Sequence, residues 1–319
     1  MLRVRHLFIA AFFGCAAALA QPQDYRGPLT LVVGYPPGGQ ADTGARILAE
    51  RLPALLGQQV IVDNRAGAGG QIAARFVKDA NRNGSVLFFT NGHTVVTVPK
   101  ILKSPGFSTG TDLRPVAPFA SYELVLVAHP KTEAKTVADL VRYFQAHPTE
   151  RNVAVPSPGS APEFIVGRFS QLTRTDVQPI AYKGSAPAVQ DLLGGQVAAG
   201  VLPVADVLQH VAAGRLRALA VTHVTPLMPG VASFADAGLA ELSASDFLGV
   251  YGPVGISDAQ AARYSAAIQS IVSTPEVATR IRDLGLQPKA GGPQELQEMF
   301  RASDLVVRAL IEAVHYQPQ

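Results

Sequence analysis

Short apolar runs alternate along most of this chain with segments whose apolar residues recur at helical spacing. In the first hundred residues, strands are predicted at 29–34, 60–62 and 86–90, and helices at 43–56 and 70–80. Strands that alternate with helices of this length favour parallel pairing and an α/β layer structure. Ligands of such sheets bind at the carboxyl ends of the strands, so we expect a site there.

A second series of the same kind starts near Ser121. Its predicted strands are 123–128, 152–155, 177–181, 197–201 and 216–221. Its predicted helices are 136–144 with Thr136 as N-cap, 163–172, one that ends at Gly194 and one from about Val204. The repeat of strand, glycine or serine turn and helix indicates a second α/β domain.

A strand at 248–253 leaves the second series, and helices at 258–273, 275–284 and 293–314 follow. Because no further strands need covering, we expect these helices to pack on the first domain. The chain then crosses between the domains twice, near 119–123 and near 246–250, which makes a hinge. We therefore divide the chain into residues 1–20, a first lobe of 21–120 and 249–319, and a second lobe of 121–248.

The N-terminus has the pattern of a secretory signal peptide. Arg3, Arg5 and His6 precede an apolar run, 7–19, which ends in Ala18-Leu19-Ala20. We expect cleavage after Ala20 and export to the periplasm. The apolar run is shorter than the roughly 20 residues that span a bilayer, so a membrane anchor is disfavoured. Lipidation at Cys15, the only cysteine, stays an alternative, although Phe12-Phe13-Gly14 fits a lipobox poorly.

Charge excludes some partners. The formal net charge is +3, and loss of Arg3 and Arg5 with the signal peptide leaves +1. A nearly neutral chain without clusters of Lys and Arg does not suggest nucleic acid or an anionic membrane surface as a partner. The mature chain contains no cysteine, so we expect neither disulfides nor thiol chemistry.

The stretch 35–42, Tyr-Pro-Pro-Gly-Gly-Gln-Ala-Asp, is the first candidate site. It joins a predicted strand to a predicted helix, so free N–H groups and the positive end of a helix dipole meet there, which favours an anion. Gly38 and Gly39 permit close approach of a ligand to the backbone. Asp42 has two interpretations, a contact to a ligand donor or the N-cap of the helix.

The turn 157–161 is the second candidate. Ser157 and Ser160 carry hydroxyls that suit a carboxylate, and Ser160 is also placed to cap the helix that follows. Lys183, beside a glycine turn, is interpreted either as a ligand contact or as a solvated rim residue. Asp206 is interpreted either as a ligand contact or as the N-cap of a helix at 207–213.

Several motifs resemble those of the periplasmic solute receptors of tripartite tricarboxylate transporters, the Bug family. The matching stretches are 36–42 with Ala45-Arg46, 60–72, 112–116, 182–197 and 213–222. They cover nearly the whole mature chain in order.

The resemblance implies a type II periplasmic binding protein fold, with two α/β lobes joined by a two-segment hinge and a ligand cleft between them. It implies a receptor, expected to be monomeric, that closes over one small carboxylate and delivers it to a membrane permease, without cofactor, metal or catalysis. Loops of both lobes would hold the ligand, largely through backbone N–H groups. By position the resemblance assigns these contacts to Pro37, Gly38, Gly39, Thr90, Asn91, Ser157, Gly159, Ser160 and Ala161.

The chain departs from the family pattern at two places near the expected cleft. Pro162-Glu163-Phe164 stands where the family usually has a histidine-leucine pair. Phe247 stands where the family commonly has a tryptophan, a residue that this chain lacks. The family's ligand identity therefore does not carry over.

Other functions find less support. Residues 67–72 do not satisfy a dinucleotide fingerprint, because Ile72 stands where the third small residue belongs. No histidine lies at metal-ligand spacing from another histidine or a cysteine, although His93 is a minor candidate for ligand contact. Two alternatives stay open: a secreted α/β hydrolase or transferase that uses a serine of the turn 157–160, and a receptor that signals instead of transporting.

Overall fold

The computed structural model describes residues 25–319. The predicted signal peptide, its cleavage after Ala20 and the alternative at Cys15 fall on residues outside this range.

The strands of the described part form two separate α/β sheets. The first sheet contains β1 (Leu29–Val33), β2 (Val60–Asn64), β3 (Val86–Asn91), β4 (Leu113–Tyr122), β10 (Asp246–Pro253) and β11 (Gln287–Pro288). The second sheet contains β5 (Leu124–Ala128), β6 (Asn152–Val155), β7 (Gln178–Ala181), β8 (Ala199–Pro203) and β9 (Arg217–Val221). The predicted two-lobed α/β architecture is confirmed. The lobe that contains the first sheet is called the first lobe, and the lobe that contains the second sheet is called the second lobe.

Helices cover both faces of each sheet. They are α1 (Gln40–Leu56), α2 (Gln71–Lys78), α3 (Val98–Ile101), α4 (Thr109–Asp112), α5 (Val137–Ala146), α6 (Ala161–Thr173), α7 (Ser185–Leu193), α8 (Val204–Ala212), α9 (Asp258–Val272), α10 (Pro275–Asp283) and α11 (Pro293–Ala313). A π-helical segment, His93–Thr97, runs directly into α3. Thr136 caps α5 as predicted, because its side chain accepts from the Asp139 N–H and the Asp139 carboxylate accepts from the Thr136 N–H.

Strand direction within the sheets is mixed. The first sheet has the order β11-β4-β10-β3-β1-β2, and β1 pairs in parallel with both β2 and β3. β10, however, runs antiparallel to β3 and to β4. In the second sheet, of order β7-β6-β8-β5-β9, β5 is antiparallel to both neighbours. The expectation of parallel pairing therefore holds for the strands joined by helices and is wrong for those next to the crossings between lobes.

β4, the ten-residue strand that leads out of the first lobe, is not predicted by the sequence pattern. Its Pro115 and Pro118 lack the N–H that a central strand needs, which disguises it as a loop. The pairing with β10 shifts register twice, between Leu248 and Gly249 and between Val250 and Tyr251, opposite these prolines. The irregularities accommodate residues that cannot donate to the ladder.

Each sheet has a buried apolar layer on both faces. In the first lobe, Leu31 and Phe89 pack with α1 and α9 on one face, while Val32 and Phe88 pack with α2 and α11 on the other. The period of two along the strands produces this division, because successive side chains point to opposite faces. The second lobe is built alike, with α6 on one face and α7 and α8 on the other.

The C-terminal helix α11 contacts both lobes. Leu296, near its start, lies in the core of the first lobe, whereas Leu310, near its end, lies in the core of the second. The expectation that the C-terminal helices pack on the first lobe is therefore incomplete for α11, which packs on the first lobe and also, near its end, on the second. A helix of 21 residues is about 30 Å long, enough to reach past one lobe onto the next.

Among residues 25–319, no helix combines the length and the apolar character that a bilayer crossing requires.

Replacement of Leu310 by alanine tests how strongly α11 holds the second lobe. Leu310 is 2 % exposed, so we expect Leu310→Ala to lower the free energy of unfolding by about 2–5 kcal/mol through lost burial and a residual cavity. Leu305 lies on the same helix but is 71 % exposed, and Leu305→Ala is expected to change stability by less than about 0.5 kcal/mol. Urea unfolding measures both, and equal losses would contradict this role of α11.

Candidate functional site

A cavity of about 150 Å³ lies between the two sheets, and it is called the cleft cavity here. From the first lobe it is lined by Tyr35, Asn91, His93, Thr97, Tyr122 and Asp246. From the second lobe it is lined by Leu124, Pro156, Ser157, Ser160, Ala161, Pro162 and Pro203. Most of these residues lie at or just beyond the carboxyl ends of β1, β3, β4, β6 and β8, where open α/β sheets bind ligands.

A larger groove of about 690 Å³ lies on the outer side of the second lobe, between α5 and residues 230–239. Only one lobe lines it, and no strand carboxyl end of the first sheet reaches it. The smaller cleft cavity is therefore the better candidate site, because ligand sites favour domain interfaces and converging strand ends.

The first-lobe wall is held by a hydrogen-bond network around Tyr35. The Tyr35 hydroxyl donates to Asn91 Oδ1 at 2.9 Å, and the Thr94 hydroxyl donates to the Gly69 carbonyl at 2.8 Å. Burial raises the pKa of Tyr35 to about 12, so its hydroxyl stays protonated. Asn91 Oδ1 also accepts from the Thr94 N–H at 3.1 Å, which fixes the orientation of the amide. The Asn91 amide nitrogen has no hydrogen-bond partner among the described residues, so it remains a donor for a ligand.

The second-lobe wall is the turn that opens α6. Ser160 occupies the N-cap position, but its hydroxyl donates to the Ser157 carbonyl at 2.6 Å, so the expected side-chain cap is not formed. The N–H of Ala161, the first residue of α6, has no intrahelical acceptor, and Ala161 lines the cavity. Gly159 has a φ of +63°, and a Cβ there would lie 2.8 Å from Ile101 Cδ1, so the turn requires glycine.

The stretch 36–39 lies apart from the cavity lining. Pro37, Gly38 and Gly39 are exposed, and Tyr35 is the only residue of the stretch 35–42 that lines the cavity. The Gly38 N–H donates to Asp42 Oδ2 at 2.8 Å, as the Gly159 N–H does to the Glu163 carboxylate. The two loops thus have the same hydrogen bond, in which the carboxylate of the third helical residue accepts from the N–H of a glycine in the preceding turn.

Asp42 is not the N-cap of α1, because the helix begins at Gln40 and Gly39 is the cap residue. Its carboxylate also accepts from Arg46 Nε and from Asn64 Nδ2, each at 2.9 Å. Burial opposes ionisation, but the hydrogen bonds from Arg46, the Gly38 N–H and Asn64 outweigh it and lower the pKa of Asp42. With 2 % of its surface exposed, Asp42 shapes the loop and does not face the cleft cavity.

The other predicted residues are dispersed. Thr90 is completely buried, and its hydroxyl has no partner among the described residues. Lys183 is exposed, and it does not line the cleft cavity. Asp206 is the third residue of α8, which begins at Val204, so the expectation that it is an N-cap is wrong. Asn91, Ser157, Ser160 and Ala161 are the predicted residues that the fold brings together around the cavity.

Asp246 and Tyr122 line the cleft cavity, and the sequence pattern does not predict either as a site residue. Tyr122, the last residue of β4, pairs in register with Asp246, the first residue of β10, and its hydroxyl donates to Asp246 Oδ2 at 2.7 Å. Asp246 also accepts from the Phe247 N–H and from the N–H groups of Gly92 and His93. It therefore caps the helical segment 93–101 from a distant strand, and sequence spacing carries no signal of that contact.

His93 borders the cavity as a neutral imidazole, because burial lowers its pKa to about 4. Neither the Ser157 nor the Ser160 hydroxyl is hydrogen-bonded to a histidine or a carboxylate within residues 25–319, so these residues do not form an activated serine. That part of the chain also contains no group of three or more His, Cys, Asp and Glu residues suited to hold a metal ion.

Comparison with known proteins adds independent information. Residues 44–315 match the family model described as "Tripartite tricarboxylate transporter family receptor". Protein BugT of Bordetella pertussis is 36 % identical over 262 residues, which are 80 % of this chain and 79 % of that protein. Among solved structures, Rpa4515 of R. palustris with adipate has a TM-score of 0.79 at 26 % identity, over 91 % of this chain and 97 % of that one. MatC from Rhodopseudomonas palustris with bound malate has a TM-score of 0.73 at 25 % identity, over 88 % and 99 %.

Removal of the Asp42 carboxylate tests its role in shaping the loop. Asp42→Ala leaves the Gly38 N–H, Arg46 and Asn64 without their acceptor, and we expect a loss of about 1–3 kcal/mol in the free energy of unfolding. Arg46→Ala is the matched control, and it should cost much less because Arg46 is exposed and its ion pair is screened. If the two variants lose the same stability in urea unfolding, the ion pair and not the loop contact is what matters.

The protonation of His93 predicts a pH dependence of stability. Its folded pKa of about 4 lies below the unfolded value near 6.5, so between these values the unfolded chain binds a proton that the folded chain excludes. The free energy of unfolding should therefore fall as pH falls through this window, by at most about 1.4 kcal/mol per unit. Urea unfolding at about pH 7 and about pH 5 should show a smaller difference for His93→Gln than for the wild type. The surface variant His315→Gln should keep the wild-type difference, and an unchanged slope in His93→Gln would refute the assignment.

Proposed function

The chain belongs to the receptors of the tripartite tricarboxylate transporter family, and we propose that it captures one small carboxylate in the cleft cavity and delivers it to membrane permease subunits. The observation that carries this proposal is the position of the cavity between the lobes, where the start of α6 presents an unpaired N–H. Adipate and malate in two structural neighbours support a carboxylate.

The proposed binding mode places a carboxylate of the solute at the start of α6. The Ala161 N–H, the Ser157 hydroxyl and the positive end of the helix dipole would hold it. The Asn91 amide is the proposed contact from the first lobe, while Thr90, buried beside it, positions the strand end. Ser160 and Gly159 keep the turn in shape through the Ser160 to Ser157 hydrogen bond and the bond from the Gly159 N–H to Glu163.

For the exposed residues, we propose roles at the cleft mouth. Pro37, Gly38 and Gly39 would approach the solute when the lobes close, because they follow Tyr35, which lines the cavity. Lys183 would attract an anion from the rim and stay solvated. We propose the lobe boundaries given above, with the crossings near 119–123 and near 246–250 as the hinge and α11 resting on both lobes.

The proposal extends to the location and assembly of the protein. We propose export to the periplasm by residues 1–20 with cleavage after Ala20, function as a monomer, and binding without a cofactor or a chemical reaction. The solute would shift the equilibrium from open to closed lobes, which the permease then recognises.

A binding screen tests the proposed function. The protein purified from the periplasm is titrated with mono-, di- and tricarboxylates, amino acids, a sugar and a divalent cation, with thermal unfolding as readout. A bound solute at one hundred times its Kd stabilises the folded state by about 2.7 kcal/mol, which raises the melting temperature measurably. Stabilisation by the sugar or the cation and by no acid would overturn the carboxylate assignment.

Substitution of Ala161 tests the backbone contact. Ala161→Pro removes the N–H, while proline is tolerated at the first helical position and the preceding Ser160 already has extended backbone. A hydrogen bond to a charged group contributes about 1.5–3 kcal/mol, so we expect a loss of affinity of tenfold or more. Asp258→Pro makes the same change at the first residue of α9, after the extended Ser257, and should leave affinity unchanged. Equal affinities of the two variants would exclude the Ala161 N–H as a ligand contact.

A further inference from the structure

The wall of the cleft cavity is poor in positive charge. Within the described residues, Asp246 is the only charged side chain that lines it, and no Lys or Arg does so. His93 adds no charge near neutral pH, because burial lowers its pKa to about 4. The cavity therefore offers no cation to offset a second negative charge on a solute.

The hydrogen bonds around Asp246 favour its ionised form. Burial raises the pKa of Asp246, but a tyrosine hydroxyl and three backbone N–H groups donate to it. A backbone N–H cannot accept, so these partners match a carboxylate that only accepts. The four donors therefore favour a negative charge at Asp246 in the first-lobe wall, whereas burial opposes it.

A second carboxylate, Asp206, approaches from the second lobe. It lies in the first turn of α8, directly after Pro203, which lines the cavity. The Asp206 side chain is exposed, but desolvation by the protein atoms around it raises its pKa; the Ser185 hydroxyl is its hydrogen-bond partner, so acceptor capacity remains. Burial is the main cause of the raised pKa of Tyr122, and the charges of Asp246 and Asp206 both add to it. Asp206 does not itself line the cleft cavity, and Asp246 is the carboxylate in its wall.

Donors line other parts of the same cavity. The Ala161 N–H and the Ser157 hydroxyl come from the second lobe. Thr97 is 2 % exposed, borders the cavity and has a hydroxyl without a hydrogen-bond partner in the described part of the chain. A hydroxyl without a partner at the wall of a cavity is available to a polar group of a ligand.

We propose that the solute is an aminocarboxylate, whose carboxylate lies at the start of α6 and whose protonated amine faces Asp246, while Asp206 adds negative charge from outside the cavity lining. This inference rests on the proposed function and narrows its ligand class. A di- or tricarboxylate would place its second negative charge near two carboxylates, which disfavours it, whereas an ammonium group is attracted by both.

Matched ligands test this inference by isothermal titration of the protein purified from the periplasm. One series compares γ-aminobutyrate with butyrate and with glutarate, and a second compares leucine with isocaproate. In at least one series, the aminocarboxylate is expected to bind tenfold or more tightly than its partners without the amine. Tighter binding of glutarate or of the plain acids would overturn the inference and leave the proposed carboxylate receptor intact. Binding of none of these acids, nor of any other carboxylate in the binding screen, would overturn both.

Two variants test whether Asp246 and Asp206 cause the preference for an aminocarboxylate over the plain acid. Asp246→Asn and Asp206→Asn should each reduce the preference for the aminocarboxylate over the plain acid several-fold, and should improve binding of glutarate. Asp246 accepts from three backbone N–H groups, so its variant is first checked for folding by circular dichroism. Asp206 is exposed, and its variant decides the question if Asp246→Asn does not fold. A preference that persists at wild-type strength in every folded variant would overturn the assignment.

Discussion

The hydrogen bond between the Tyr122 hydroxyl and the Asp246 carboxylate joins the two places where the chain passes between the lobes. Tyr122 ends the strand that leaves the first sheet, and Asp246 begins the strand that returns to it. The same carboxylate accepts from the N–H groups of Gly92 and His93, so it also fixes the start of the helical segment in the cavity wall. Both crossings and one wall of the site therefore depend on a single buried acid, and its loss would leave several donors unpaired.

Internal carboxylates accept from N–H groups at three helix starts in or near the walls of the cleft. Asp42 holds the Gly38 N–H, Glu163 holds the Gly159 N–H, and Asp246 holds the N–H groups at the start of segment 93–101. An unpaired N–H at a helix start attracts an anion, and here the protein supplies several of those anions itself. In the proposed binding mode, a solute would meet only the donors that remain, chiefly at Ala161 and Asn91, and it would meet them beside the Asp246 carboxylate. Selectivity thus follows from which N–H groups the chain leaves unoccupied.

The helix α11 adds a constraint on motion between the lobes. It is anchored in the first lobe by Leu296 and in the second by Leu310, so the lobes are connected by packing as well as by the two crossings. Any change in the angle between the lobes has to slide or bend this contact, since a packed core does not deform continuously. A change in the angle between the lobes would therefore have to repack the end of α11 that contains Leu310.

The sequence by itself determined the two α/β lobes, most strands and helices and the family, because short-range periodicity and local motifs express them. It also selected Asn91 and the turn 157–161, which a strand end and a helix start place in the cleft without long-range information. Tertiary structure alone decided that Asp246 meets Tyr122 and the start of segment 93–101, that Asp42 is turned inward to Asn64, and that α11 spans both lobes. Each of these depends on residues distant in sequence, and a lone acidic residue has the same local pattern whether it caps a helix, pairs with a strand or faces a solute.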